Sequence, residues 1–180
     1  MSWLRVPWTE AGQVLARCSD DGEPGDTAGT EPEAYFRELA AGGGLEAAVL
    51  YLGAALPRLE TVEWALHVLD QSGRCGQTAY REQLLRAVRG WIASPGDDRR
   101  RAAFTLAQQS NESSPERLLA CAVFFSGGSI APEDCAPIQP ESHLCGRLAA
   151  TAILACAYAG DDADWILQLA TAEGDRIASS

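Results

Sequence analysis

From Pro32 onward, apolar residues recur every three to four positions, and proline or glycine interrupts the recurrence at short intervals. That spacing places side chains on one helix face, and each interruption ends one helix before the next begins. Tyr35, Phe36 and Leu39 make one face behind Pro32, which suits a first turn, and Glu33 complements the positive end of the helix dipole. Gly42-Gly43-Gly44 closes this segment. Leu45, Val49, Leu52 and Leu56 mark a second helix. Pro57 stops it and opens a third, carrying Leu59, Val62, Leu66 and Leu69. A fourth runs from about Thr78 to Ile92, with Leu84, Leu85, Val88 and Trp91 on one side and Arg81, Arg86 and Arg89 on the other. Asp97 or Asp98 is placed to cap the next helix, Arg99 to Gln109. Ser113-Ser114-Pro115-Glu116 starts another, Leu118 to Phe125. A last hairpin pairs Ser142 to Ala159 with Asp162 to Ile177, and its many alanines allow close helix approach.

β-branched residues are sparse, and no period-two run with a tight hairpin turn occurs. The expectation is an all-α chain, residues 1–180 forming a single irregular helical bundle of about seven to nine helices. No fixed repeat period carries matching apolar positions, which argues against a solenoid. The expected core comprises Leu52, Leu56, Val62, Leu66, Leu85, Val88, Phe104, Leu118, Val123, Ile153, Leu154 and Leu169. Residues 18–33 contain almost no apolar side chain and read as a flexible, acidic, Gly/Pro-rich loop. Thr9 to Arg17 reads as a short helix capped by Thr9, with Trp3 and Trp8 pinning this arm to the body.

With 180 residues and 47% apolar side chains, the chain can bury one core without metal or disulfide staples. The formal net charge is −11 and every basic residue is arginine, so the average field repels a polyanion and argues against nucleic-acid binding. No basic-then-apolar leader opens the chain, and the most apolar stretch, Leu148 to Ala159, is too short to span a bilayer. The expectation is a cytoplasmic protein without membrane insertion, its six cysteines reduced. No CxxC occurs. Cys135, His143 and Cys145 form C-x7-H-x-C, which lacks a fourth ligand and the tighter spacing of a zinc site, so no metal or cofactor is expected.

Two histidines are the candidates for enzyme chemistry. His67 has Glu63 four residues before it and Asp70 three after, an arrangement that could tune a general base, yet no nucleophile is tied to it. His143 opens a helix after a proline-rich loop, where capping or loop packing suffices. Ser126-Gly127-Gly128-Ser129 follows a helix and has no lysine beside it, so it is not a phosphate loop. Gly127 is placed to close the preceding helix in the left-handed conformation. Asp161, Asp162 and Asp164 lack calcium-loop spacing and read as helix-capping residues. Arg99-Arg100-Arg101, the one basic cluster, reads as a solvated face or a contact for an acidic partner.

The stretch Ser114-Pro115-Glu116-Arg117-Leu118-Leu119-Ala120-Cys121-Ala122-Val123-Phe124-Phe125-Ser126-Gly127-Gly128-Ser129-Ile130-Ala131-Pro132, continued by Pro137 to Leu144 and Arg147, resembles a family of small helical bacterial proteins without an assigned activity. Members are often encoded among type VI secretion genes, near effectors and adaptors. The resemblance is specific over about residues 100–160. Phe125 stands where that family usually has a Trp-like aromatic. The resemblance implies a non-enzymatic co-chaperone or adaptor that loads an effector onto the secretion apparatus. One alternative is an immunity protein that binds a toxin, with the acidic character suiting a basic nuclease. An enzyme using His67 or His143 is the alternative from another class. The expected partner is therefore another protein. The expected partner-binding residues are Phe125, Ser126, Gly127, Gly128, Ser129, Ile130, Gln139, His143 and Arg147, because a long aperiodic stretch inside a compact helical domain is usually functional or disordered. Phe125 to Ile130 and Pro137 to Leu144 are expected to form one ordered feature that shapes or borders the partner site, or else only buttresses the last helical hairpin.

Overall fold

The structure is a computed structural model that describes residues 3–18, 27, 29–132 and 134–180. Among the described residues there are nine helices and no strand. They are α1 (Ala11–Leu15), α2 (Pro32–Ala41), α3 (Leu45–Ala55), α4 (Arg58–Gln71), α5 (Ala79–Ala93), α6 (Asp97–Ala107), α7 (Pro115–Phe124), α8 (Leu144–Ala157) and α9 (Ala163–Ser179). The all-α expectation holds. The loop expected at 18–33 lies mostly outside the described residues, and its last two positions, Pro32 and Glu33, belong to the first turn of α2.

Local chemistry sets most of the boundaries. The Thr78 hydroxyl accepts the Arg81 amide at 3.2 Å and the Ser114 hydroxyl accepts the Arg117 amide at 3.3 Å, so both side chains cap free amides at a helix start. Two expected caps are corrected. Thr9 does not cap α1: Gln13 reaches back, and its side-chain oxygen accepts the amides of Thr9 and Glu10 at 2.9 and 3.2 Å, leaving Glu10 at the cap position. Asp97 is the first residue of α6 behind Gly96, and its carboxylate grips arginines instead of amides. Gly127 is likewise not the left-handed residue after α7; that is Gly128, at φ +66°.

Helix α8 is the axis of the bundle, packed against α3, α4, α7 and α9. Its Ala149, Ala150, Ala152, Ile153, Cys156 and Ala157 are buried. The closest approach is between α3 and α8. A Cβ on Gly53 would sit 2.6 Å from the Gly146 carbonyl oxygen, and one on Gly146 would overlap the Gly53 carbonyl. Backbone therefore touches backbone there, which only glycine permits. Helix α9 closes the same core: the Trp64 indole of α4 donates to the Ala170 carbonyl at 2.8 Å, and Gly174 leaves space for the Leu52 side chain. The N-terminal arm is pinned as expected. Trp3 packs on Phe36 and Tyr51 and donates to Asp175 at 2.7 Å, while Trp8 is half-buried with the Arg17 guanidinium over its ring.

Eight of the twelve expected core residues are buried; Phe104, Leu118, Leu154 and Leu169 are only half-buried. These four face the rim of the bundle, and the space at its centre is filled by Trp64, Tyr51, Leu84, Leu119, Ile166 and Leu167. Two glycines on one bundle should separate cleanly. Gly146→Ala should cost about 3 kcal/mol, because α3 and α8 must part. Gly90→Ala, in α5 with open space around it, should stabilise by about 0.5–1 kcal/mol by restricting the unfolded chain. Urea melts of the two variants read both values. Leu66→Ala should cost about 2–5 kcal/mol by the same measurement.

Candidate functional site

The longest aperiodic stretch, between α7 and α8, folds into a tied loop. Val123 ends α7's hydrogen bonding by accepting from the Ser126 hydroxyl at 2.7 Å, which makes Ser126 a buried helix stop. The chain then turns through Gly128, whose left-handed backbone excludes other residues. A Cβ there would also lie 3.0 Å from both the Arg100 guanidinium and the Asp97 carboxylate. The Ser129 hydroxyl accepts the amides of Ala131 and Ile138, each at 3.1 Å, and the Ile130 amide donates to the Ile138 carbonyl at 2.8 Å. The expected stretches Phe125–Ile130 and Pro137–Leu144 are thus joined side by side.

Three arginines clamp this loop to the bundle. Arg100, only 3% exposed, donates to the Phe124 carbonyl and to the Ser129 carbonyl, both at 2.7 Å. Arg101 donates to the carbonyls of Ser129 and Ala131, both at 3.0 Å. Arg58, at the start of α4, donates to the Ser126 carbonyl at 2.8 Å. Asp97 orients the first two, accepting from Arg100 at 2.9 Å and from Arg101 at 2.7 Å. These hydrogen bonds, Arg101's first, hold the Asp97 carboxyl below its ordinary value. The ring of Phe124 lies beneath the Arg100 guanidinium and stacks on Phe104 at 4.0 Å between centroids, with Phe125 edge-on. The expected solvated basic face is therefore corrected: Arg100 is buried, Arg101 is half-buried, and exposed Arg99 donates to the carbonyls of Gly90 and Ser94. Helix α6 turns these guanidiniums toward free carbonyls at the end of α7 and in the loop. That demand could not be read from the Arg99-Arg100-Arg101 run itself.

The clamped base leaves an outer arc. Residues 134–139 are all exposed, Ile138 at 57%. Of the expected partner-binding residues, Gln139 lies on this arc, and Ser126 is buried. Phe125, Gly127, Ser129 and Ile130 are half-buried and Gly128 is exposed. His143 and Arg147 sit apart, at the first turn of α8. His143 is the cap-position residue without a side-chain cap bond, and its Nδ1 is 3.5 Å from Glu141. Arg17 binds this corner, donating to the Ser142 carbonyl and hydroxyl at 2.6 and 2.9 Å.

His67 lies elsewhere. It borders a shallow groove of about 260 Å³ between α4 and α5 together with Glu63, Asp70 and Arg89, and its Nε2 is 3.9 Å from Glu173 of α9. Cys135 is exposed, whereas Cys145 is buried against the Arg58 carbonyl, and burial pushes its thiol up to about 12. Among the described residues, no three His, Cys, Asp or Glu side chains gather as a metal site would need. No helix among them is long and apolar enough to cross a membrane. Asp162, expected to cap α9, stands at the cap position without a side-chain cap bond and pairs with Arg74.

Replacing Arg100 by Ala should leave the buried Phe124 carbonyl without its donor and the Ser129 carbonyl with Arg101 alone, and cost about 3 kcal/mol, with faster amide exchange at Ile130 and Ile138. The Asp97→Asn variant probes the pH dependence. Because the folded carboxyl lies below its ordinary value of 3.8, its contribution is complete above that pH and is lost as the pH falls further. The gap in melting temperature between wild type and Asp97→Asn should therefore be largest near neutrality and close in acid.

No curated protein and no solved structure gives a significant match to the chain. One family model does, over residues 35–178, from the middle of α2 to the end of α9 and including the whole clamped loop. The chain belongs to the family of unknown function DUF6931.

Proposed function

We propose that this chain is a non-enzymatic, protein-binding accessory factor of the cytoplasm, serving as adaptor or co-chaperone for an effector of a type VI secretion apparatus. The observation that supports the binding role is the clamped loop. Its carbonyls are satisfied by Arg58, Arg100 and Arg101, so the exposed arc from Asp134 to Gln139 is presented on a fixed base. A pre-ordered surface loses little entropy when a partner docks, and Ile138 supplies an exposed apolar side chain to bury. The secretion setting comes from the resemblance carried by Ser114–Pro132, Pro137–Leu144 and Arg147.

The test must separate docking from folding. Ser129 is unsuitable, since its hydroxyl organises the loop. Ile138→Asp and Gln139→Arg change only exposed side chains. Tagged protein purified from its host should carry an effector or an effector chaperone. Ile138→Asp should reduce that capture at least about tenfold, a loss of about 1.4 kcal/mol, with melting unchanged. Undiminished capture by both variants would remove the arc from the partner site. His67→Ala and His143→Ala should leave capture intact, and a turnover abolished by either would establish an enzyme instead. The net charge of −11 favours one second reading, an immunity protein for a basic toxin. In that case the gene would be essential beside the toxin gene, whereas an adaptor gene would be dispensable for survival yet required for killing neighbours.

A further inference from the structure

Far from the loop, two cysteines separated by 81 positions face each other, with Cys75 Sγ and Cys156 Sγ 3.8 Å apart. Cys156 is fully buried near the C-terminal end of α8, and Cys75 is half-buried in the turn between α4 and α5. That turn is fastened on every side. Ser72 donates to the Leu69 carbonyl at 2.6 Å and accepts the Arg74 amide at 3.2 Å. Arg74 donates to the Cys156 and Ala157 carbonyls at 3.2 and 3.1 Å and pairs with Asp162. The Gly76 amide donates to the fully buried carboxylate of Glu116 in α7 at 2.8 Å. The turn thus joins α4, α5, α7 and α8, and the two thiols sit inside that joint.

We propose that Cys75 and Cys156 are an oxidation site, forming an intramolecular disulfide with hydrogen peroxide that locks this joint. A disulfide needs its sulfurs about 2.05 Å apart, so closure requires an approach of just under 2 Å, within reach of side-chain rotation and a small shift of the turn. The hydrogen bond from Cys75, with Ser72 and Arg74 nearby, brings the Cys156 thiol down to about 7, while Cys75 is pushed up. Cys156 is therefore the thiolate, and the thiolate is the nucleophile. As its sulfur attacks peroxide, an S–O bond forms on Cys156, the O–O bond breaks, and hydroxide leaves. The Cys75 sulfur then attacks the Cys156 sulfenic acid. The S–S bond forms, the S–O bond breaks, and the departing hydroxide takes the Cys75 proton as water. Two thiol sulfurs are oxidised by two electrons in total, and one peroxide is reduced to water and hydroxide.

The experiment uses the full chain carrying Cys135→Ser, which removes the exposed competing thiol. After hydrogen peroxide treatment the monomer should be lighter by two hydrogen atoms, alkylation of the unfolded chain should add two fewer groups than to the reduced protein, and a non-reducing digest should contain one peptide linking Cys75 to Cys156. Closing so long a loop should raise the melting temperature on the order of 10 °C, and dithiothreitol should reverse the shift. Adding Cys75→Ser or Cys156→Ser should abolish both link and shift. Both thiols alkylated after peroxide treatment, while the urea-unfolded protein is oxidised under the same conditions, would overturn the proposal. So would a link from either cysteine to Cys18, Cys121 or Cys145. A correct link with unchanged melting would refute the locking of the joint.

Discussion

The bundle depends on one place where two helices touch with nothing but backbone between them. At the crossing of α3 and α8, Gly53 and Gly146 leave no room for even a methyl group. Because α8 is the helix around which α3, α4, α7 and α9 are arranged, the depth of that crossing sets the distances available to the others. Alanines along α8 fit a shallow interior, while Trp64 and Leu52 occupy the wider space toward α4 and α9. Small residues on one side and large ones on the other fill a single volume at interior density.

A second constraint is electrostatic and local. Helix ends leave carbonyls without partners, and a loop folded against them adds more. Here these groups are satisfied by guanidiniums from neighbouring elements. Arginine suits the task because its planar fork can serve two acceptors at once, as Arg100 does for Phe124 and Ser129 and Arg74 does for Cys156 and Ala157. Lysine, a single point charge, could not reproduce that bridging. The Ser-Gly-Gly-Ser run thereby acquires a structural meaning: a hydroxyl that ends α7, two glycines beside guanidiniums, and a hydroxyl that gathers two amides.

Helix identity was legible because it is written locally. Pro32, Pro57 and Pro115 mark starts, Gly42 to Gly44 marks an end, and Thr78 and Ser114 are hydroxyl caps placed where the chain needs them. What was illegible depends on residues distant in the chain. Asp97 resembles a cap until Arg100 and Arg101 meet the loop carbonyls. Phe104 resembles a core residue until α6 is seen at the rim. Glycine inside an apolar helix, as at Gly53 and Gly146, does signal close approach, but nothing in the sequence says that the two approach each other. Cys75 and Cys156 are the extreme case, since their meeting follows only from the packing of the α4–α5 turn on α8. At the candidate site, the sequence located the loop and the joining of its two stretches. It did not show that its conspicuous residues hold the loop while its plain arc from Asp134 to Gln139 faces outward.

The arginine pairs also polarise the protein's skin. At the starts of α5 and α6 and at the Arg74 turn, three acids face outward over arginines turned inward. Side-chain exposure is 4% for Arg100 and 23% for Arg101 against 53% for Asp97, 23% for Arg74 against 57% for Asp162, and 24% for Arg81 against 49% for Glu112. At distances well beyond the Debye length of roughly 8–10 Å, approaching molecules respond only weakly to the sum of charges. Closer in, the surface at these three places presents carboxylates over submerged guanidiniums, an outward-facing electrical double layer. A cationic surface brought against it would meet more negative charge than the formal total implies.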